Sequence, residues 1–70
     1  MEIVEFELDT EYIELIKLLK VLQIAESGGQ AKLFVENDEV LLNEQVEHRK
    51  RAKLRKGDVV EIFDVQVKIV

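Results

Sequence analysis

Cysteine, proline and tryptophan are missing from this 70-residue chain, and serine and histidine occur once each, as Ser27 and His48. Without cysteine no disulfide staples the fold, and no thiolate is available as a nucleophile or metal ligand. That suits a reducing compartment. No stretch reads as a Pro/Gly/Ser linker or a low-complexity segment. No run of about 18 apolar residues occurs, so no membrane span is expected. The opening residues MEIVEFELDTE are acidic and alternating. A signal peptide starts basic and then turns apolar, so secretion is not expected and the chain is placed in the cytoplasm. No Walker loop, metal-ligand cluster or paired acid–base arrangement is visible. The expectation is a non-enzymatic chain with no cofactor and no metal. Its length means a single domain over residues 1–70. A chain this short buries only about 60% of its unfolded surface, enough for one thin core and little else.

What the chain does have is charge, unevenly spread. The formal net charge is −5. Residues 1–14 hold Glu2, Glu5, Glu7, Asp9, Glu11 and Glu14 with no Lys or Arg. Residues 49–56 hold Arg49, Lys50, Arg51, Lys53, Arg55 and Lys56 with no acid, six of the chain's ten basic residues. At physiological salt the screening length is about 8 Å, so a ligand at one surface barely feels charges across the domain. A local basic patch can therefore attract phosphate although the whole protein is an anion. The same composition also describes a solvated loop that balances an acidic surface.

Residues 3–8 alternate, with Val4, Phe6 and Leu8 on one face and Ile3, Glu5 and Glu7 on the other, the pattern of a half-buried strand. Asp9 or Thr10 offers an N-cap for a helix through about Gln23, whose core stripe is Tyr12, Leu15, Ile16, Leu19 and Leu22. Ser27 followed by Gln30 matches a capping box and predicts a second helix at about 28–37 with Ala31, Phe34 and Val35 inward. Gly28 and Gly29 fall in its first turn, where glycine costs helix stability. Close approach of another backbone or of a ligand would account for them. Val40–Leu42 and Gln45–Glu47 read as short strands around an Asn43-Glu44 turn. The basic stretch is expected to run irregularly to a Gly57-Asp58 turn. VVEIF and VQVKIV are extended, with a bulge or tight turn near Phe63-Asp64 to reconcile their phases. The last segment should pair with the first, setting Lys68 near Glu5 or Glu7. The class is α+β, two helices packed on a small, mainly antiparallel sheet. Tyr12 and the three phenylalanines fall in core-like phase.

The segment from about Ile13 to Ile62 resembles the alpha-L RNA-binding motif of ribosomal protein S-four, which also occurs in pseudouridine synthases and tyrosyl-tRNA synthetases. The matching pieces are the apolar helix around LIKLL, the ESGGQAK helix start, the strand ending LLN and the closing KLRKGDVVEI. The whole chain looks most like stand-alone small bacterial proteins of the YaaA and YbcJ kind, with the motif over about 13–62 flanked by strands at 3–8 and 65–70. The family usually carries arginine at the start of its first helix and after the serine of its second. Here Glu14 and Gly28 stand at those positions, and the family's VNG turn reads Leu42-Asn43-Glu44. The basic stretch must then supply more of the grip on phosphate, or the target differs.

The resemblance implies binding of structured RNA, ribosomal RNA first, and a role in ribosome assembly or function, with ribosomal subunits as further partners. The expected contacts are Arg49, Lys50, Arg51, Lys53, Arg55 and Lys56. The Ser27-Gly28-Gly29-Gln30 helix start joins them, because unpaired N–H groups and the positive dipole end favour an anion there. Lys32 adds charge nearby. Lys17 and Lys20 would extend the patch along the first helix, though such lysines also make an ordinary polar face. Asn43 would reach RNA from the turn, or simply form it. His48 borders the patch, as a phosphate donor or as a plain surface residue. The sheet lacks the aromatic signature of an RRM. Two rivals stand beside this reading. One is a protein–protein adaptor using the acidic face at residues 2–14. The other is DNA binding through the same basic stretch. The expected state is a monomer. The sequence names neither the RNA nor its affinity.

Overall fold

Two-residue turns fold the second half of the chain into hairpins, and those hairpins build the sheet. The computed structural model describes all residues from Met1 to Val70. Strands β1 (Glu2–Phe6), β3 (Val40–Leu42), β4 (Gln45–Val46), β6 (Val59–Ile62) and β7 (Val65–Ile69) form one five-stranded sheet in the order β1-β7-β6-β3-β4. Every pairing in it is antiparallel except β1 with β7. That parallel register sets Glu5 opposite Lys68, as expected from the sequence. A second, two-stranded sheet pairs β2 (Ile13–Glu14) with β5 (Lys53–Leu54). Helices α1 (Leu15–Val21) and α2 (Gly28–Glu36) complete the α+β architecture of two helices on a mainly antiparallel sheet.

Side chains alternate across a strand, so the register sorts them by face. Val4 pairs with Val67, Val67 with Val60, Phe6 with Ile69, and Ile62 with both Val65 and Val40. This apolar face meets Leu15, Leu18 and Leu19 of α1 and Ala31 and Val35 of α2 in a cluster of 15 buried residues, every one hydrophobic. The change of phase between β6 and β7 is absorbed by the two-residue turn Phe63-Asp64, in which Phe63 takes φ 53°. Asn43 and Glu44, at φ 51° and 71°, make the left-handed pair of a type I′ turn between β3 and β4. Gly57 sits at φ 98°, a conformation that costs other residues far more than glycine.

Four expectations need correction. The first helix does not start at Asp9 or Thr10. Ile13 and Glu14 are a strand, and α1 begins at Leu15. Its first N–H groups donate to the basic segment, Leu15 to the Ala52 carbonyl at 2.9 Å and Ile16 to the Lys50 carbonyl at 3.2 Å. Those partners lie far along the chain, so a local helical period could not disclose them. Tyr12 therefore falls outside the helix and is 38% exposed, and Ile13, Leu15, Leu18 and Leu19 form the buried stripe. Phe63 is also outside the core, 56% exposed at its turn with its ring edge-on to Phe34. The basic stretch is not wholly irregular, because it contains β5.

The glycine pair at the start of α2 has no tight neighbour in the chain. A Cβ on Gly28 would meet the Lys20 stem at 3.9 Å, and one on Gly29 would meet the Ser27 hydroxyl at 3.8 Å, both ordinary contacts. No other backbone demands glycine there. The cap itself forms as expected, with the Ser27 Oγ accepting from the Gln30 N–H at 3.1 Å. The Gln30 side chain reaches one residue further back than a capping box requires and accepts from the Glu26 N–H.

Both helices end in the same device. In α1 the Gln23 N–H donates to the Lys20 carbonyl and the Ile24 N–H to the Leu19 carbonyl. In α2 the Asp38 N–H donates to Val35 and the Glu39 N–H to Phe34. These are Schellman pairs, closed by Gln23 and Asp38 at φ 60° where glycine is usual.

Candidate nucleic-acid interface

The segment Arg51-Ala52-Lys53-Leu54-Arg55 alternates between charge and apolar side chain, and the strand β5 turns that alternation into two faces. Ala52 and Leu54 are buried in the core, and Arg51, Lys53 and Arg55 are exposed. Burial of Leu54 alone stabilises the placement by about 1.5–3 kcal/mol. The cations are thus held out by a strand whose other face is anchored, rather than scattered on a mobile loop. Arg49, Arg51, Lys53 and Arg55 line one shallow depression floored by Ala52.

Carboxylates mask part of the patch. The Arg49 guanidinium donates through two nitrogens to Glu47, both bonds 3.0 Å long. The Glu47 side chain is only 11% exposed. Chiefly through the Arg49 hydrogen bond, its carboxyl is held below the ordinary carboxylate value, against the opposing effect of its burial. The Lys50 ammonium lies 2.6 Å from Glu36 at the end of α2. His48 Nε2 lies 2.8 Å from the Asp38 carboxylate, both side chains well exposed. Arg51, Lys53, Arg55 and Lys56 carry no ion pair. Lys53 and Arg55 instead lie over the Tyr12 ring, at 4.9 Å and 5.9 Å from its centroid.

The remaining candidates fall into separate places. The Ser27 start of α2 is nine residues from Glu36 and the Lys50 ion pair, about 13 Å along the helix axis. The N–H groups of Gly28 and Gly29 have no acceptor within the chain. Lys20 packs its stem beside Gly28, and Lys32 is exposed one turn along α2. Lys17 lines a different groove with Phe6, Tyr12 and Val21. Asn43 is tied into the chain at both ends of its amide. Its Oδ1 accepts from the Val59 N–H at 2.9 Å, and its Nδ2 donates to Asp58 at 3.1 Å. Asp58 also accepts from the Arg55 N–H at 2.8 Å, so this network pins the end of the basic strand to the β3–β4 turn.

Two features of the patch escaped sequence reasoning. The inward Ala52 and Leu54 were readable as period-two alternation, which the density of charge conceals. The proximity of Tyr12 to Lys53 and Arg55 depends on the β2–β5 pairing, for which two-residue strands leave almost no local signal.

Known proteins resemble this chain in sequence and in fold. The S4 domain family model matches residues 6–70. The chain is 47% identical over 55 residues to a probable ribosome maturation protein, RlbA, of Bacillus subtilis, covering 79% of this chain and 78% of that protein. It is 37% identical over 59 residues to YbcJ of Escherichia coli, covering 84% of each. The solution structure of YbcJ from E. coli superposes with a TM-score of 0.69 at 35% identity, over 97% of this chain and 90% of that one. That protein has an alpha-L motif described as involved in RNA binding. The family match spans nearly the whole chain, and the structural likeness to YbcJ supports it: this protein belongs to the S4 domain family.

Proposed function

We propose that this protein is a non-catalytic binder of structured RNA, ribosomal RNA in particular, acting in the cytoplasm in ribosome assembly or function. One observation carries the reading. Arg51, Lys53 and Arg55 project from one face of an anchored strand, free of ion pairs, in an otherwise acidic protein. Cations on a fixed backbone meet phosphates without a cost for ordering the main chain and release the counterions condensed on the nucleic acid. Lys56 extends the row. Arg49, Lys50 and His48 join once phosphate competes with Glu47, Glu36 and Asp38. The bare N–H groups of Gly28 and Gly29, with Lys20 and Lys32 beside them, make a second anion contact about one helix length away. Two such contacts select for the shape and backbone of a folded RNA rather than for base sequence.

The preference for RNA over DNA rests on the relatives. RlbA is described as a probable ribosome maturation protein, and the YbcJ motif as involved in RNA binding. Ultraviolet crosslinking in cells, with sequencing of the attached nucleic acid, tests the proposal. Enrichment of ribosomal RNA at one or a few sites is expected. Recovery of DNA, or of no nucleic acid above background, would overturn it.

A further inference from the structure

Tyr12 is the chain's only tyrosine, and it occupies an odd position. The β2–β5 register pairs Ile13 with Leu54 and Glu14 with Lys53. One step back along that ladder, Tyr12 faces Arg55. Tyr12 is 38% exposed, and it lines one groove while Lys53 and Arg55 lie over its ring. On one side is the cationic depression of Arg51, Lys53 and Arg55. On the other is a groove lined by Phe6, Leu8 and Val21, by the acidic Asp9, Glu11 and Glu14, and by Lys17.

We infer that Tyr12 is a stacking platform for an unpaired base of the bound RNA, with the phosphate of that nucleotide held by Lys53 and Arg55. The inference rests on the RNA-binding reading above and adds to it the kind of RNA feature recognised. Every base has a π face that stacks on an aromatic ring without regard to sequence. The Lys53 ammonium lies over the Tyr12 ring, 4.9 Å from its centroid, so a stacking base displaces it from that face and leaves it beside the nucleotide, within reach of the phosphate. The two surfaces also fix the orientation. Three carboxylates against the single Lys17 leave the groove net acidic and disfavour phosphate, so the backbone lies on the β5 side and the base turns toward the apolar lining. A paired base cannot present its face in this way, so the site selects a bulge, loop or frayed end beside a helix.

A chain with one tyrosine and no tryptophan makes the test direct, because tyrosine emission reports on Tyr12 alone. The probes are a fully paired RNA duplex and the same duplex interrupted by an adenosine bulge, at low salt. The wild-type chain is expected to bind the bulged RNA more tightly and to show tyrosine quenching on it. Tyr12→Phe should keep that affinity. Tyr12→Ala and Tyr12→Leu should weaken binding of the bulged RNA by roughly 5- to 150-fold, with duplex binding unchanged at a temperature where each variant is folded. Tyr12→Leu binding the bulged RNA like the wild type, or losing both RNAs equally, would overturn the stacking role while leaving RNA binding intact. No saturable binding of either RNA by the wild type would overturn both.

Discussion

The ammonium of Lys50 sits 2.6 Å from the carboxylate of Glu36, tying the basic segment to the last turn of α2. The contact places one of the six clustered cations under a counter-charge before any ligand arrives. The pair is exposed, and pairs of that kind contribute about 0–1 kcal/mol to folding. Glu36→Gln is therefore expected to leave thermal unfolding nearly unchanged. It should tighten RNA binding by roughly two- to fivefold, because phosphate no longer displaces a carboxylate. A filter-binding titration of the two proteins side by side checks this. Weaker binding by Glu36→Gln would mean that the pair positions Lys50 rather than masks it.

Asn43 separates a structural role from a binding role. Both ends of its amide are used within the chain, and its backbone lies at φ 51°, where asparagine is among the best-tolerated residues. Asn43→Ala should cost about 1–3 kcal/mol. For a domain of this size that lowers Tm by roughly 4–8 °C per kcal/mol. RNA affinity of the folded protein should change little. Lost RNA binding at an unaltered Tm would assign Asn43 to the interface instead.

The neighbouring Glu44 holds φ 71° in a type I′ turn that favours Asn-Gly. Glu44→Gly is expected to stabilise the protein by about 1 kcal/mol through relief of that conformation. Chemical denaturation should show a higher midpoint at an unchanged slope. A lower midpoint would mean that the Glu44 side chain makes a compensating interaction.

Glu47 gives stability a defined acid dependence. Its folded carboxyl titrates below the ordinary value of 4.5, held there chiefly by the Arg49 hydrogen bond. A depressed acid stabilises the fold fully above its unfolded value, and that contribution is lost as pH falls through the folded one. The difference in Tm between the wild type and Glu47→Gln should therefore be constant from neutral pH down to about 4.5 and shrink below it. A difference that widens under acid would contradict the assignment.

The elements made of long, regular patterns were legible in the sequence, and those made by distant pairing were not. Val4, Phe6 and Leu8 announced the first strand, Ser27 and Gln30 the start of α2, and Asn43-Glu44 the turn after β3. The start of α1 is not legible in the sequence, because Leu15 and Ile16 donate to Ala52 and Lys50, partners more than thirty positions away. Tyr12 was assigned to the core for the same reason, since a helical period continued back from Leu15 puts it inward. The charge of residues 49–56 was plain. Which of those cations stand free depends on where Glu36 and Glu47 fall in three dimensions.

Phosphate binding by the unpaired cations of the β5 segment is the central proposal. The most direct measurement is the salt dependence of binding to ribosomal RNA, for the wild type and for the triple variant Arg51→Ala, Arg55→Ala, Lys56→Ala. With three to five contacts, log affinity should fall against log salt with a slope of roughly −2 to −4, and the variant's slope should be shallower by about 2 to 3 at an unchanged Tm. A variant with the wild-type slope, or binding indifferent to salt, would contradict the account.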